Sequence, residues 1–210
     1  MKQRAAVILA GGRSTRFGQQ DKAIAPLAGV PLIRRVINRI SPVVDEIVVN
    51  CRDEQQAPIA EVLQSVSTPL RFAIDETPDR GPLAGIATGI GAVESAPQTF
   101  VVACDMPFCE RPVVELLFEL ADGHDAAVPQ LDDKWYQTTH AVFRTKPMGR
   151  ASKRVLESGR DRIVHTFEYL DVVAVSESDI KTVGSRKTFE NINTEEEFEA
   201  AAAAFSTDNA

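Results

Sequence analysis

Up to about residue 125, short apolar, β-branched runs alternate with stretches patterned for helix, and no other feature of the chain restricts its fold as much. Runs of the first kind cover residues 6–10, 46–51, 71–74 and 99–103, each bounded by turn-forming residues. Helix-like stretches at 31–40, 56–66 and 83–93 lie between them. A strand that is apolar on both faces has to be covered on both, and parallel strands need a crossover to join them. The alternation therefore predicts an α/β fold, with a doubly wound, Rossmann-like, mostly parallel sheet flanked by helices. Its crossovers are right-handed, and ligands are expected beyond the carboxyl ends of the strands.

Beyond that point the pattern changes. Residues 126–129 and 139–144 read as further strands, 146–157 and 161–169 as helix, and 171–175 and 188–192 as late strands. Thr194 is placed to cap a final helix rich in glutamate and alanine, and residues 205–210 are expected to fray. Because no repeat or low-complexity linker interrupts the chain, a single domain over 1–210 is expected, with a soft division near 125.

Charge and composition narrow the function. The 23 basic and 30 acidic residues leave a net charge of −7, which argues against a nonspecific grip on nucleic acid. No apolar stretch approaches the length of a membrane span, and the apolar start runs straight into Gly-Gly-Arg, reading as a first strand and not as a secretory leader. Cys51, Cys104 and Cys109 have no CxxC spacing, which disfavours a disulfide scaffold or thiolate zinc site and fits a reducing cytoplasm.

Gly11 and Gly12 follow the first strand directly, where a backbone without Cβ atoms either approaches a ligand or makes a tight turn. Arg13, Arg16 and Lys22 come next, and the spacing matches neither GxGxxG nor GxxxxGK[ST]. Arg16 can fork onto phosphate oxygens and Lys22 can offer a compact charge, although a solvated basic loop has the same composition. Asp105 ends "VVACDMP" where a carboxylate meets either a hard cation or the next turn. "GPLAG", 81–85, opens a helix whose free amides favour an anion, or is ordinary helix initiation with Pro82 near its start. His124, His140 and His165 lack metal-ligand spacing and read as structural, and Cys104 has no partner histidine that would make it a nucleophile.

In this order, "LAGGRSTRFG" with "DKA" soon after, "GPLAG", "CDMP" and "NINTEEEF" resemble the nucleotidyltransferases of the molybdenum-cofactor guanylyltransferase, or MobA, family over almost the whole chain. The resemblance implies a nucleotide-diphospho-sugar-transferase-like fold and transfer of GMP from GTP to the terminal phosphate of molybdopterin, with release of pyrophosphate. It implies that Leu9, Ala10, Gly11 and Gly12 meet base and ribose, and that Arg16 and Lys22 hold the phosphates. Asp105 would bind Mg²⁺, so Arg16, Lys22 and Asp105 form the implied catalytic set. Asn50, Asp75 and the 81–85 loop with Gly81, Pro82 and Leu83 add nucleotide contacts by the same carry-over. "QTTHAVF" resembles the family's QPLHA stretch, so Gln137, with Asn191 and Asn193, would face the pterin. The chain departs from the family at Thr138, where proline is usual, and at Phe17, where methionine is common.

The two parts of the domain then become a nucleotide half, about 1–124, and a second-substrate half, about 125–204. "LAGG" rather than LAAG points to guanine as the base. Molybdoenzymes or other cofactor-biosynthesis proteins are the implied partners. The alternatives are another phosphorylated acceptor (a phosphosugar, cobinamide phosphate or phospholactate), CTP as donor, or a GTP-binding module without catalysis.

Overall fold

The fold was described from a computed structural model, which covers residues 3–12, 21–75 and 80–207. The first half runs β1 (Arg4–Leu9), a small hairpin β2 (Pro26–Leu27) and β3 (Val30–Pro31), α1 (Leu32–Ile40), β4 (Glu46–Cys51), α2 (Asp53–Leu63), β5 (Leu70–Ile74), α3 (Pro82–Gly91) and β6 (Gln98–Ala103). It continues through α4 (Arg111–Leu120), β7 (Ala126–Gln130), β8 (His140–Arg144), α5 (Thr145–Glu157), β9 (Val172–Ser176), α6 (Glu177–Lys181) and α7 (Glu195–Thr207). Among the described residues, seven strands form one sheet in the order β5-β4-β1-β6-β8-β7-β9, in which β8 alone is antiparallel to its neighbours.

The side chains of β1 alternate between two cores. Ala6 and Ile8 join one with Ile47, Val49, Phe100 and Val102, and Val7 joins the other with Val48 and Val101. Both faces are covered, α1, α2 and α4 packing on the first and α3 and α5 on the second, which is why these strands read as continuous apolar runs.

The chain lays β4 and β5 on one side of β1 and then crosses back to place β6 on the other. The carboxyl ends of β1 and β6 lie side by side where the strand order reverses, the position at which sheets of this kind carry a ligand crevice. Because β8 is reversed, its first residues lie at the end where β6 finishes, and Thr139 O accepts from Ala103 N at 3.3 Å.

Three local expectations are corrected. Residues 188–192 are not a strand: a 3₁₀ turn spans Arg186–Phe189 and the rest has no ladder partner among the described residues. Their apolar residues are buried separately, Phe189 in the main core and Ile192 in a third cluster beneath α7 with Leu27, Leu32, Phe108 and Phe205. The apolar residues there report burial and not pairing. The helix expected at 161–169 is a 3₁₀ turn, Ile163–Tyr169, and α4 occupies a stretch for which no element was predicted. α7 persists to Thr207, with Phe205 buried and stacked on Phe108 at 5.0 Å, so the chain is ordered into the segment expected to fray.

Candidate active site

Leu9 ends β1 opposite Asn50 of β4 and Ala103 of β6. The backbone beyond it stays tied to both neighbours: Ala10 N donates to Asn50 O at 2.8 Å, and Cys104 N donates to Leu9 O at 3.0 Å. These bonds hold Leu9–Gly12 at the mouth of the crevice. Arg13, Arg16 and Phe17 lie outside the described residues.

Where the description resumes, Asp21 caps a 3₁₀ turn, Lys22–Ile24, its Oδ1 accepting from Ala23 N at 2.9 Å. The turn aims Lys22 across the crevice, where Nζ donates to Asp105 Oδ2 at 2.8 Å, with both side chains less than a fifth exposed. The other oxygen of Asp105 is buried and has no hydrogen-bond partner among the described residues. A carboxylate with one oxygen neutralised by lysine and the other bare is the donor that a hard divalent cation takes.

Behind this pair, buried Asn50 donates through Nδ2 to Ala73 O at 3.1 Å and to Asp75 Oδ1 at 2.7 Å, while Asp75 Oδ2 lies against Gly11. Asp75 thereby keeps an acceptor at the backbone expected to meet the base. Gly81 N-caps α3 at φ 79°, a left-handed conformation that favours glycine. Pro82 follows as the first helical residue and Leu83 anchors the turn in the core. Gly85, one turn on, packs so closely on the Asn50 amide that a Cβ would collide with it.

The second half of the chain arrives at the same place. Ile192 N donates to Asp105 O at 2.9 Å, which sets exposed Asn191 and Asn193 on either side of the residue holding the acid. Thr194 Oγ1 accepts from Glu197 N at 3.1 Å, the cap expected for the last helix. Half-buried Gln137 is held by its backbone to Pro129 O at 2.8 Å and to His140 N at 3.0 Å, in the turn beside Ala103.

Groups without a part in this chemistry sort themselves equally clearly. His140 is fully buried between the ring edges of Phe100 and Phe189, at 5.0 and 4.9 Å, and burial pushes its imidazole down to about 3. Burial also raises the Cys104 thiol, with Asp105 adding to the effect, so it stays a thiol and not a nucleophile. Burial pushes Cys51 and Cys109 up to about 12 in the same way.

Sequence reasoning passed over two residues. Asp21 fixes the turn that carries Lys22, and Gln55 of α2, 3% exposed, donates to Asp21 Oδ2 at 2.6 Å. The signal available for Gln55 was its place at N3 of a helix, where a glutamine answers the backbone N–H of Arg52; that marks a helix start and says nothing of the site.

The family model described as MobA-like NTP transferase domain matches residues 6–172. A relative from Natronomonas pharaonis, named a probable molybdenum cofactor guanylyltransferase, is 47% identical over 96% of this chain and 98% of its own. The molybdenum cofactor guanylyltransferase of Shewanella amazonensis is 33% identical, covering 92% and 93%. Among solved structures, molybdopterin-guanine dinucleotide biosynthesis protein A from Archaeoglobus fulgidus superposes with a TM-score of 0.77 at 26% identity, over 97% of this chain and 99% of that one. The 4-diphosphocytidyl-2C-methyl-D-erythritol synthase of Anaerococcus prevotii has the same fold, with a TM-score of 0.75 at 16% identity over 98% and 96%. A crevice at the turn of the sheet, carrying a lysine–aspartate pair and matched over this length, places the chain in the MobA-like NTP transferase family.

Proposed function

We propose that the protein transfers GMP from GTP to the terminal phosphate of molybdopterin, releasing pyrophosphate and forming molybdopterin guanine dinucleotide. The observation that carries this reading is the meeting of Lys22 and Asp105, 83 positions apart, in a chain whose relatives bear that activity in their names. A nonbridging oxygen of the acceptor phosphate attacks the α-phosphorus of GTP. The new P–O bond forms as the bond to the β-phosphate breaks, and the electron pair leaves with pyrophosphate. The attacking group is already an anion near neutral pH, so no covalent enzyme intermediate is required, and catalysis falls to positioning and charge neutralisation.

Leu9, Ala10, Gly11 and Gly12 present backbone groups to base and ribose, with Asn50, Asp75, Gly81, Pro82 and Leu83 completing the nucleotide pocket. A pocket whose groups match guanine's amide edge leaves them unsatisfied with cytosine, which penalises CTP. Lys22 and Arg16 take the phosphates. On nucleotide entry Lys22 keeps Asp105 within reach. Gln137, Asn191 and Asn193 face the pterin from the other side of Asp105.

The residues present suit a magnesium ion: Asp105 would hold it by its bare oxygen, leaving the remaining positions to phosphate oxygens and water. Bound there, the ion would neutralise charge developing on the transferred phosphoryl group. No helix among the described residues is long and apolar enough to cross a membrane. Three free, unreactive cysteines suit a reducing cytoplasm, where the product would pass to molybdoenzymes or other cofactor-biosynthesis proteins.

The test is pyrophosphate release with GTP, CTP, ATP and UTP in Mg²⁺, each with and without molybdopterin. Release confined to GTP plus molybdopterin supports the reading. Release with CTP, or only with a phosphosugar, cobinamide phosphate or phospholactate, replaces donor or acceptor, and GTP binding without release under any of these removes the activity.

A further inference from the structure

Gln55 lies outside the residues expected to touch either substrate, yet it connects two that do or that carry one. Its amide nitrogen donates to Ala10 O at 3.0 Å and to Asp21 Oδ2 at 2.6 Å. Its oxygen accepts from Arg52 N at 2.9 Å and Arg52 Nε at 3.2 Å, which settles the end of the amide that faces the site. Ala10 closes the β1 side of the Gly-Gly-Arg segment and Asp21 opens the turn that bears Lys22. One buried amide therefore ties the two stems of that segment to each other and to the start of α2.

We propose that Gln55 is a positioning residue for transfer: by joining Ala10 to Asp21 it sets the separation between the backbone that meets the base and the lysine that meets the phosphates. Only a primary amide does this. It supplies two N–H groups, one for a carbonyl and one for a carboxylate, while its oxygen serves the helix terminus. A glutamate at 55 would set two carboxylates against each other, and an asparagine at 21 would set an amide donor against an amide donor. The chain of contacts runs from Gln55 through Asp21 and Ala23 N to Lys22 and then Asp105.

The inference rests on the transfer reading, and the experiment separates the two. Gln55→Glu, Asp21→Asn and the double variant are compared with the unaltered protein in kcat and KM for GTP by pyrophosphate release, in Kd for Mg²⁺-GTP by calorimetry without acceptor, and in thermal unfolding. Each single change should lower kcat by about tenfold or more. In the double variant the amide introduced at position 21 donates to the carboxylate introduced at 55 while Ala10 O is left without its donor, so kcat should recover in part, to above that of either single variant and below the original. For Gln55→Glu alone, activity relative to the original should rise as pH is lowered, because facing carboxylates share a proton and regain a donor. Unchanged kcat in both single variants, or losses that add in the double with no pH dependence, overturns the proposal.

If the unaltered protein binds GTP and releases no pyrophosphate, the transfer reading fails while the same pattern of damage and rescue in Kd keeps the positioning role. Should Gln55→Glu not fold, Gln55→Met keeps the length without donors or charge, and a kcat equal to the original would likewise overturn the proposal.

Discussion

Asp105 makes two contacts and leaves one oxygen unpartnered among the described residues. Its Oδ2 meets Lys22, its Oδ1 is bare, and its carbonyl fastens the segment bearing Asn191 and Asn193. Asp105→Asn keeps the carbonyl and the shape but removes the charge, so turnover should fall by about 100-fold or more while thermal unfolding stays near the original. Magnesium-dependent pyrophosphate release at the original rate would refute the assignment. Gly85 makes a different prediction, because a Cβ there meets the buried Asn50 amide, which is itself committed to Ala73 O and Asp75. Gly85→Ala should cost about 1–3 kcal/mol in chemical denaturation and raise KM for GTP by displacing Asn50.

Among the elements, β8 and α7 do the most for the site without supplying a catalytic group. An antiparallel strand begins at the edge where its parallel neighbours end, so reversing β8 puts the Gln137 turn beside Ala103, at the end of β6. α7 covers the segment on the other flank. Phe205 stacks on Phe108, the Arg35 guanidinium sits 4.0 Å over its ring, and Ile192 is buried in the same cluster. Phe205→Ala should destabilise the protein by about 3 kcal/mol, measured by urea unfolding, through lost packing and a cavity. If α7 is needed to seat the asparagines, KM for molybdopterin should rise more than KM for GTP in that variant.

Across the molecule, acid sensitivity should trace to the interior and not to the site. His140 is neutral in the core, with Thr188 Oγ1 3.4 Å from Nε2 and Nδ1 buried without a partner among the described residues. Its folded value of about 3 lies below the unfolded value near 6.5, so the unfolded chain binds a proton between them that the folded chain does not. Its contribution to stability is present above about pH 6.5 and is lost as the pH falls toward 3. His140→Phe should flatten the decline of melting temperature with falling pH over that window, and an unchanged slope would show that other groups control it.

Much of the fold was legible because its signals are local. A run such as that at 46–51, apolar on both faces, announces a covered strand, and the return of such runs between helical stretches announces parallel pairing. Gly-Gly, Lys22, "GPLAG" and Asp105 were recognisable because each stands at a strand end or a helix start. The late segment at 188–192 misled because a buried apolar residue looks the same in sequence whether or not its backbone pairs in a sheet, and only neighbours in space distinguish the two. What the sequence determined by itself was the α/β class and the set of residues from which a nucleotide site is expected. The tertiary structure decided which of them meet: Lys22 with Asp105, Ile192 with Asp105, and Gln55 with both Ala10 and Asp21. Those meetings depend on strand order, the reversal of β8 and the packing of α2 and α7, which are settled by long-range burial that no short stretch of sequence encodes.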